Sequence, residues 1–319
     1  MTNLGLTEEE LQEEYIGDRG SSFDSLILSL LKKGKLSRSK ISQVYDKDLF
    51  SQIFTHPSIS EQNYEYYEFL GDLVVNKSIG QYLSRRFPQL RCPQGVRVLT
   101  RLKINLVSKK VLAEFAESLG FWDFISATME YRMTKKKPML EDCFEAFMGA
   151  VEQQIDEKCA SRDKKDRPTS GGGYRICYNI IQNILDTYPI CGGLPDQNGI
   201  QQGRLVYSDL VDAKTRLKEL FDFHRVDLGK VKYISERDGT LCHTHIISER
   251  YTKKDRTTGQ HIQYGIKLNS MAALSQPYGS GTAALQADSH QAAAANALVY
   301  FKRKGYTRDP PAHYAMFCD

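Results

Sequence analysis

Apolar residues recur at helical spacing through the first half of the chain. The segments that keep this period read SLILSLLKK, LFSQIF, YEFLGDLVVNKSIGQYLSRRF, RVLTRLKINLV, VLAEFAESLGF and MLEDCFEAFMGAVEQQI. Together they extend from Phe23 to about Asp156, and the alternation typical of strands is almost absent there. This pattern predicts an all-α domain.

The pattern changes in the last third of the chain. DAKTRLKELFDF has helical spacing, whereas KVKYISER, THIISERY and IQYGIKLN alternate as strands do. An Ala-rich helix, LQADSHQAAAANALVYFKRK, follows these three segments. The order α-β-β-β-α predicts a small α+β domain.

Stretches without periodicity divide the chain. PICGGLPDQNGIQQGRL is rich in Pro, Gly and Gln and is typical of a linker, while EKCASRDKKDRPTSGGG is typical of an inserted loop. The predicted organisation is a flexible or loosely docked arm at 1–22, a helical domain at 23–188 with a loop at 157–173, a linker at 189–205, an α+β domain at 206–308 and a tail at 309–319.

Composition narrows the class of protein. A length of 319 residues suits two domains, and the formal charge of +4 is compatible with a nucleic-acid partner without requiring one. No run approaches the roughly 18 apolar residues of a membrane span, and the acidic N-terminus lacks the order of a signal peptide. Seven cysteines without a CxxC pair predict reduced thiols in an intracellular protein, with nucleus and cytoplasm left undistinguished.

Two groups of acids stand within strongly apolar helices. Glu65, Glu68 and Asp72 have the spacing i, i+3, i+7, which places them within about 60° on one helix face. Asp142 and Glu145 have the spacing i, i+3 on another helix. Carboxylates turned toward a packed interior cost several kcal/mol unless they are compensated, and oxygen-only ligation favours Mg²⁺, Mn²⁺ or Ca²⁺ over zinc.

Alternatives to a metal site remain at this point. Each acid by itself also fits an ordinary solvated helix face, whereas a di-iron bundle would need Glu-x-x-His pairs that neither Glu68 nor Glu145 has. Gly71 costs about 1 kcal/mol relative to Ala in mid-helix. It therefore indicates a close approach of backbone to another element, such as a crossing at a dimer seam.

These motifs resemble the ribonuclease III family. Residues 64–72 read YEYYEFLGD where the family signature is approximately NERLEFLGD. Residues 55–58 read THPS for the upstream THxS, and residues 142–149 read DCFEAFMG for the downstream DxxEAxxG. The resemblance covers roughly residues 45–306 and implies the ribonuclease III fold for the helical domain.

The resemblance also implies roles for individual residues. Glu68, Asp72, Asp142 and Glu145 correspond to the metal-coordinating acids, with Glu145 the most directly required for catalysis. Glu65 corresponds to an outer acid that helps to position RNA or metal, and Phe69 to a residue packed across the homodimer seam, near Gly71.

The activity implied is endonucleolytic cleavage of double-stranded RNA by a homodimer, one strand per subunit. Mg²⁺, with Mn²⁺ as a substitute, would activate water, and no nucleotide cofactor or His or Lys base is required. The products would carry 5′-phosphates, 3′-hydroxyls and short 3′ overhangs. His56 is therefore expected to be structural. Two interpretations of Lys135, Lys136 and Lys137 stay open: phosphate contacts near the site, or a solvated loop.

The C-terminal domain resembles a double-stranded-RNA-binding domain. Lys218 and Glu219 correspond to positions of its first helix that face the minor groove, and His243 to a loop contact, here expected in the turn GTLCH at 239–243. The family opens the last helix with lysines, but no Lys or Arg stands between Lys267 and Lys302. Phosphate contacts would then fall to Lys253, Lys254 and Arg256, or the domain would serve in packing instead.

Three functions follow from these observations. The first is an active, metal-dependent endoribonuclease, favoured because all four acids are present. A non-cleaving binder that sequesters duplex RNA is the alternative, and the poor phosphate grip of the last helix counts against it. A scaffold that kept only the fold is the third.

Overall fold

The computed structural model describes residues 7–160, 171–255, 257–267 and 277–319. It divides into two compact units, Met1–Gly203 and Arg204–Asp319. Most of the predicted loop at 157–173, and Arg256, lie outside the described residues.

The first unit is helical, as the apolar spacing predicts. Its helices are α1 (Glu8–Gln12), α2 (Ser21–Lys33), α3 (Arg38–Val44), α4 (Lys47–Ile53), α5 (Glu65–Arg86), α6 (Val96–Leu106), α7 (Lys109–Ser118), α8 (Met129–Thr134), α9 (Lys136–Ala160) and α10 (Gly172–Leu185). Short 3₁₀ turns occur at Pro88–Leu90, Pro93–Gly95 and Trp122–Phe124, and strands β1 (Glu14–Tyr15) and β2 (Ala127–Thr128) form a two-stranded ladder. Helices α5 and α9 form the central pair, with α7 and α10 packed against α9.

Glycines fix the crossing of α5 and α9. A Cβ added to Gly71 would lie 1.7 Å from the carbonyl oxygen of Glu145, and one added to Gly149 would lie 2.2 Å from that of Tyr67. The two backbones therefore touch, and neither position accepts a side chain. The close approach of backbone that Gly71 indicates is made inside the chain, where Gly71 is buried. Its place near a dimer seam stays a prediction.

The N-terminal segment, expected to be a flexible or loosely docked arm, is docked over its described residues. Glu14 pairs with Thr128 in the antiparallel β1–β2 ladder. The Arg19 guanidinium donates to the carbonyl oxygens of Phe124 at 2.6 Å and Phe54 at 3.2 Å. Backbone pairing and a partly buried arginine hold this segment, and neither produces an apolar period in the sequence.

The region predicted as a linker is largely anchored by Arg86, at the end of α5. Arg86 is fully buried. Its guanidinium donates to the Leu185 carbonyl oxygen at 2.9 Å, to the Gly193 carbonyl oxygen at 2.6 Å and to the Gln201 side-chain oxygen at 2.8 Å. Residues up to Gly203 consequently belong to the first unit.

The second unit combines a small sheet with helices. Its helices are α11 (Tyr207–Leu210), α12 (Ala213–Phe223), α13 (Arg225–Leu228), α14 (Gln286–Arg303) and α15 (Ala312–Ala315). Its strands are β3 (Lys230–Asp238), β4 (Leu241–Glu249), β5 (Tyr251–Lys254), β6 (His261–Tyr264) and β7 (Gly279–Ala283). The antiparallel order β3-β4-β7 forms the sheet, β5 and β6 pair separately, and the core contains Leu217, Phe221, Ile246, Ala297 and Phe301.

The segment IQYGIKLN, which was predicted as a strand, is one only in part over its described residues. Residues 262–264 belong to the short β6 of the separate hairpin, and β7 takes the third place in the sheet. Leu268 and Asn269 lie outside the described residues. A Cβ added to Gly279 would lie 2.4 Å from the Ala293 carbonyl oxygen, and one added to Gly281 would lie 2.4 Å from the Ala293 amide nitrogen. Because β7 lies directly against α14 at Gly279 and Gly281, these two positions need residues without side chains. The strand therefore lacks the apolar alternation from which strands are predicted.

Within the described part of the chain, no helix combines the length and the apolar character needed to cross a bilayer.

Candidate active site

The predicted acids gather where α5 meets α9. Glu65 and Asp72 are exposed, and Glu68 is half-buried, along the N-terminal half of α5. On α9, Asp142 is half-buried and Glu145 is only 7% exposed. The contact between Gly71 and the Glu145 backbone brings the two groups to one place.

Burial and mutual repulsion shift the titration of this acid cluster. Burial raises the pKa of Glu145 to about 8, and Asp72 is the strongest of the neighbouring carboxylates that add to this rise. Burial likewise raises the pKa of Asp142 to about 7, with Glu68 the next contributor, and burial also raises the pKa of Glu68. Without a cation, the buried part of the cluster therefore keeps protons near neutral pH.

A sixth acid, Glu141, belongs to the cluster and was not predicted from the sequence. It is 7% exposed, and its carboxylate accepts from the Lys109 ammonium at 2.8 Å. The same ammonium lowers the pKa of Asp142 and Glu68, against the effect of burial. Glu141 stands directly before Asp142 in the motif, but no periodicity of the sequence connects it with Lys109 at the start of α7.

The side-chain amide of Asn76 orients Asp72, and this contact was not predicted from the sequence. The Asn76 side chain donates to the Asp72 carboxylate at 2.7 Å and to the Asp72 carbonyl oxygen at 2.9 Å. The Lys103 ammonium donates in turn to the Asn76 side-chain oxygen at 2.8 Å. The i, i+4 spacing of Asp72 and Asn76 is a signal from which this contact can be predicted.

Tyr64 and His56 line the other side of Asp142. The buried Tyr64 hydroxyl donates to the Asp142 carboxylate at 3.3 Å. The His56 ring packs on the rings of Tyr64 and Tyr131, and its Nδ1 accepts from the Ser58 amide at 2.9 Å. Burial lowers the pKa of His56. These contacts hold the His56 ring in place beside Tyr64.

The three lysines before the second motif differ in their surroundings. Lys136 forms an ion pair with Glu117 at 2.6 Å, and its ammonium lies 5.1 Å from the centre of the Trp122 ring. Lys135 and Lys137 are exposed.

An apolar strip lies along the outward side of α5. Phe69 is 66% exposed, and Leu73, one turn further along, is 58% exposed. Tyr66, one turn before Phe69, is also 58% exposed. Side chains of this size and this exposure on one helix face are typical of a surface that meets a partner.

The residues expected to bind RNA in the second unit lie in three places. Lys218 is exposed on α12, whereas Glu219 accepts from the Tyr207 hydroxyl at 2.9 Å and lies 3.7 Å from the Arg308 guanidinium. His243 lies in β4, where its Nδ1 is 3.0 Å from the Thr282 hydroxyl, because the turn before it is only Gly239–Thr240.

The remaining two residues of that group, Lys253 and Lys254, are exposed on β5 of the separate hairpin.

The acid cluster fits a divalent cation by its chemistry. Its donors are carboxylate oxygens, and the raised pKa values show that their negative charge is poorly compensated. Among the residues described, no three acidic, histidine or cysteine side chains form a preformed metal cage. Mg²⁺ usually keeps several waters and is held by one or two carboxylates together with substrate phosphates.

Comparison with known proteins agrees with this geometry. Residues 65–154, which hold all six acids, match the family model described as the Ribonuclease III domain. A putative ribonuclease 3 of Invertebrate iridescent virus 6 is 35% identical over 310 residues, which is 95% of each chain. A putative ribonuclease 3 of Frog virus 3 is 32% identical over 82% of this chain and 58% of its own length. Ribonuclease 3 of Pseudomonas entomophila is 33% identical over 72% of this chain and 88% of its own.

Proposed function

This chain belongs to the ribonuclease III family of endonucleases, and on that basis we propose that it cleaves double-stranded RNA with the help of divalent metal ions. The observation that carries the proposal is the acid cluster at the α5–α9 crossing. Burial and repulsion raise the pKa of Glu145 to about 8 there. Such a cluster is costly for the fold, and a bound cation offsets that cost.

Glu68, Asp72, Asp142 and Glu145 would hold the metal. Bound Mg²⁺ would supply a water of lowered pKa as nucleophile and would stabilise the charge that develops on the leaving oxygen. The chain itself presets the acids for this role. Asn76 fixes the Asp72 carboxylate, and the Tyr64 hydroxyl holds that of Asp142.

The proposal also covers Lys109, which lies beside the cluster, and the ends of the reaction products. The Lys109 ammonium forms an ion pair with Glu141 beside the cluster at 2.8 Å. Hydrolysis that releases the 3′ oxygen leaves 5′-phosphate and 3′-hydroxyl ends. Short 3′ overhangs follow if two such centres face the two strands.

Cleavage of long duplex RNA in Mg²⁺ tests the proposal. The unaltered protein should cut it, and Glu145→Gln should bind it without cutting, with a loss of rate of about 10³-fold or more. Glu157→Gln removes an exposed acid at the far end of α9 and serves as the matched control with unchanged rate. Tight binding without cleavage by the unaltered protein, in Mg²⁺ and in Mn²⁺, would instead support a sequestering protein.

We propose that the chain acts as a homodimer joined through α5. The strip of Tyr66, Phe69 and Leu73 is apolar and exposed. A second copy of the same face would bury it, as isologous interfaces do. Two acid clusters would then serve one duplex, one for each strand.

We also propose that the second unit is related to double-stranded-RNA-binding domains and contacts the duplex. Its α12-β3-β4-β7-α14 order supports this, and Lys218, Lys253 and Lys254 are exposed cations available to phosphates. Substituting these three lysines with Ala should weaken duplex binding by about tenfold and should reduce its salt dependence. Lys230→Ala, which removes an exposed charge at the start of β3, is the control. Unchanged affinity would assign the unit to packing.

A further inference from the structure

A basic cavity lies in the first unit, and none of the six acids of the cluster is among its described lining residues. Its volume is about 180 Å³. Its walls are the segment that follows α2, helix α3, the last turns of α9 and the start of α10. Lys35, Lys40, Lys158 and Arg175 line it, and no carboxylate occurs among the lining residues that the structure describes.

The floor of the basic cavity is apolar. Leu36, Val44, Ile155 and Ile176 line it, and each of these side chains is at most 9% exposed. The four cations, in contrast, are exposed around them. A cavity with an apolar floor and a cationic rim is complementary to a ligand that has an apolar or aromatic body and an anionic group.

Helix stability does not account for two of these cations. Lys40 stands in the first turn of α3, and Arg175 stands in the first turn of α10. A positive charge near a helix N-terminus is unfavourable, because the amide groups there already carry partial positive charge. Their placement therefore costs stability in the free protein, and a bound anion would reverse that cost.

Two acids, Asp156 and Glu157, directly precede Lys158, and neither is among the described residues that line the basic cavity. Asp156, two residues before Lys158, accepts from the Gly171 amide at 3.1 Å and from the Gly173 amide at 2.7 Å. It therefore caps the start of α10. Its side chain is not among those lining the basic cavity.

We propose that the basic cavity binds the phosphate group of a nucleoside monophosphate, with the cations on the phosphate and the apolar floor under the attached ring or sugar. Phosphate is favoured over carboxylate because its three terminal oxygens can accept from several cations at once. The volume equals about six water molecules at roughly 30 Å³ each, which leaves room for part of the body beside the phosphate. The phosphate can come from a free nucleotide or from the end or backbone of an RNA strand.

Calorimetric titration of the full chain with adenosine 5′-monophosphate tests this proposal. EDTA is present so that metal at the acid cluster contributes nothing. We expect measurable binding, weaker binding of inorganic phosphate and no binding of neutral adenosine. The double substitution Lys40→Gln with Arg175→Gln should weaken binding at least tenfold. Because both cations stand at helix N-termini, this variant should unfold at the same temperature as the unaltered protein or higher.

The matched control is Lys32→Gln with Arg38→Gln, which removes two exposed charges from α2 and α3 outside the cavity. Its affinity should be unchanged. If adenosine 5′-monophosphate does not bind, or if both double variants weaken binding equally, the proposal is overturned. A short RNA duplex that displaces the nucleotide identifies RNA as the source of the phosphate, and failure to displace it identifies the free nucleotide. The readout is binding without metal, so the outcome is independent of the proposed cleavage.

Discussion

Glu145 is the most deeply buried of the metal-binding candidates, and its pKa is strongly raised. A glutamate in an unfolded chain ionises near pH 4.3, whereas burial raises the pKa of Glu145 to about 8 in the fold. In the absence of metal, its ionisation therefore costs stability progressively as pH rises from about 5 to about 8. A bound cation removes this cost.

Glu145→Gln should consequently stabilise the metal-free protein. In EDTA at pH 8, we expect its free energy of unfolding to exceed that of the unaltered chain by about 1–2 kcal/mol, a value reduced from the full shift for solvent screening. Near pH 4 the difference should vanish, because the carboxyl is then protonated in both states. Urea unfolding at several pH values measures this, with the exposed Glu65→Gln as the control. An equal gain for both variants would show that burial is not the cause.

Gly71 and Gly80 form a natural pair for testing the helix crossing. Gly71→Ala puts a Cβ 1.7 Å from the Glu145 carbonyl oxygen, so α5 and α9 must separate. We expect a loss of about 3 kcal/mol or more in the free energy of unfolding, together with loss of cleavage. Gly80→Ala on the same helix meets nothing within 4 Å and should gain up to about 1 kcal/mol from helix propensity. Thermal unfolding of both variants is the measurement.

At the scale of elements, the most consequential side chain is Arg86. It connects the end of α5 to the chain that follows α10, through the carbonyl oxygens of Leu185 and Gly193. Removal of the guanidinium takes a charge-assisted hydrogen bond from each of these acceptors and leaves them with one backbone donor each, the amides of Tyr188 and Ile190. A hydrogen bond to a charged group contributes about 1.5–3 kcal/mol.

Arg86→Met keeps the apolar volume and removes the donors. We expect a loss of about 3 kcal/mol in stability and faster amide hydrogen exchange across residues 188–201, with α9 unaffected. Arg97→Met, which changes an exposed arginine on α6, should alter neither property. Unchanged exchange in the Arg86 variant would mean that the segment is held by other contacts.

Periodicity predicts some elements and not others for physical reasons. Helices α5 and α9 could be predicted because their buried faces are apolar and their acids stand at helical spacing. Strand β7 could not, because its contact with α14 selects glycine, which carries no pattern. The ion pair of Lys109 with Glu141 also could not, because it joins residues 32 positions apart on different helices.

At the scale of the whole molecule, the exposed strip on α5 is the surface that we propose joins two copies of the chain. Phe69→Ala with Leu73→Ala should raise the dissociation constant of the dimer by about 10- to 100-fold, because the two substitutions remove apolar side-chain area that dimer formation would bury. Sedimentation at several protein concentrations measures this constant. The control is Leu194→Ala, because Leu194 is 57% exposed and is not part of the strip. A chain that is monomeric at all concentrations before substitution would contradict the proposed dimer.

The contact of Gly71 with the Glu145 backbone affects which residues of the helical unit can change during evolution. The spacing of α5 and α9 is set there by main-chain atoms, which are the same for every amino acid, and not by the size of any side chain. Core residues elsewhere in the helical unit are therefore free to change in bulk over generations while the distance between the two acid-bearing helices is retained. Only a mutation that adds an atom at Gly71 or Gly149 alters that distance directly, so these two codons should tolerate the least variation in a saturation library.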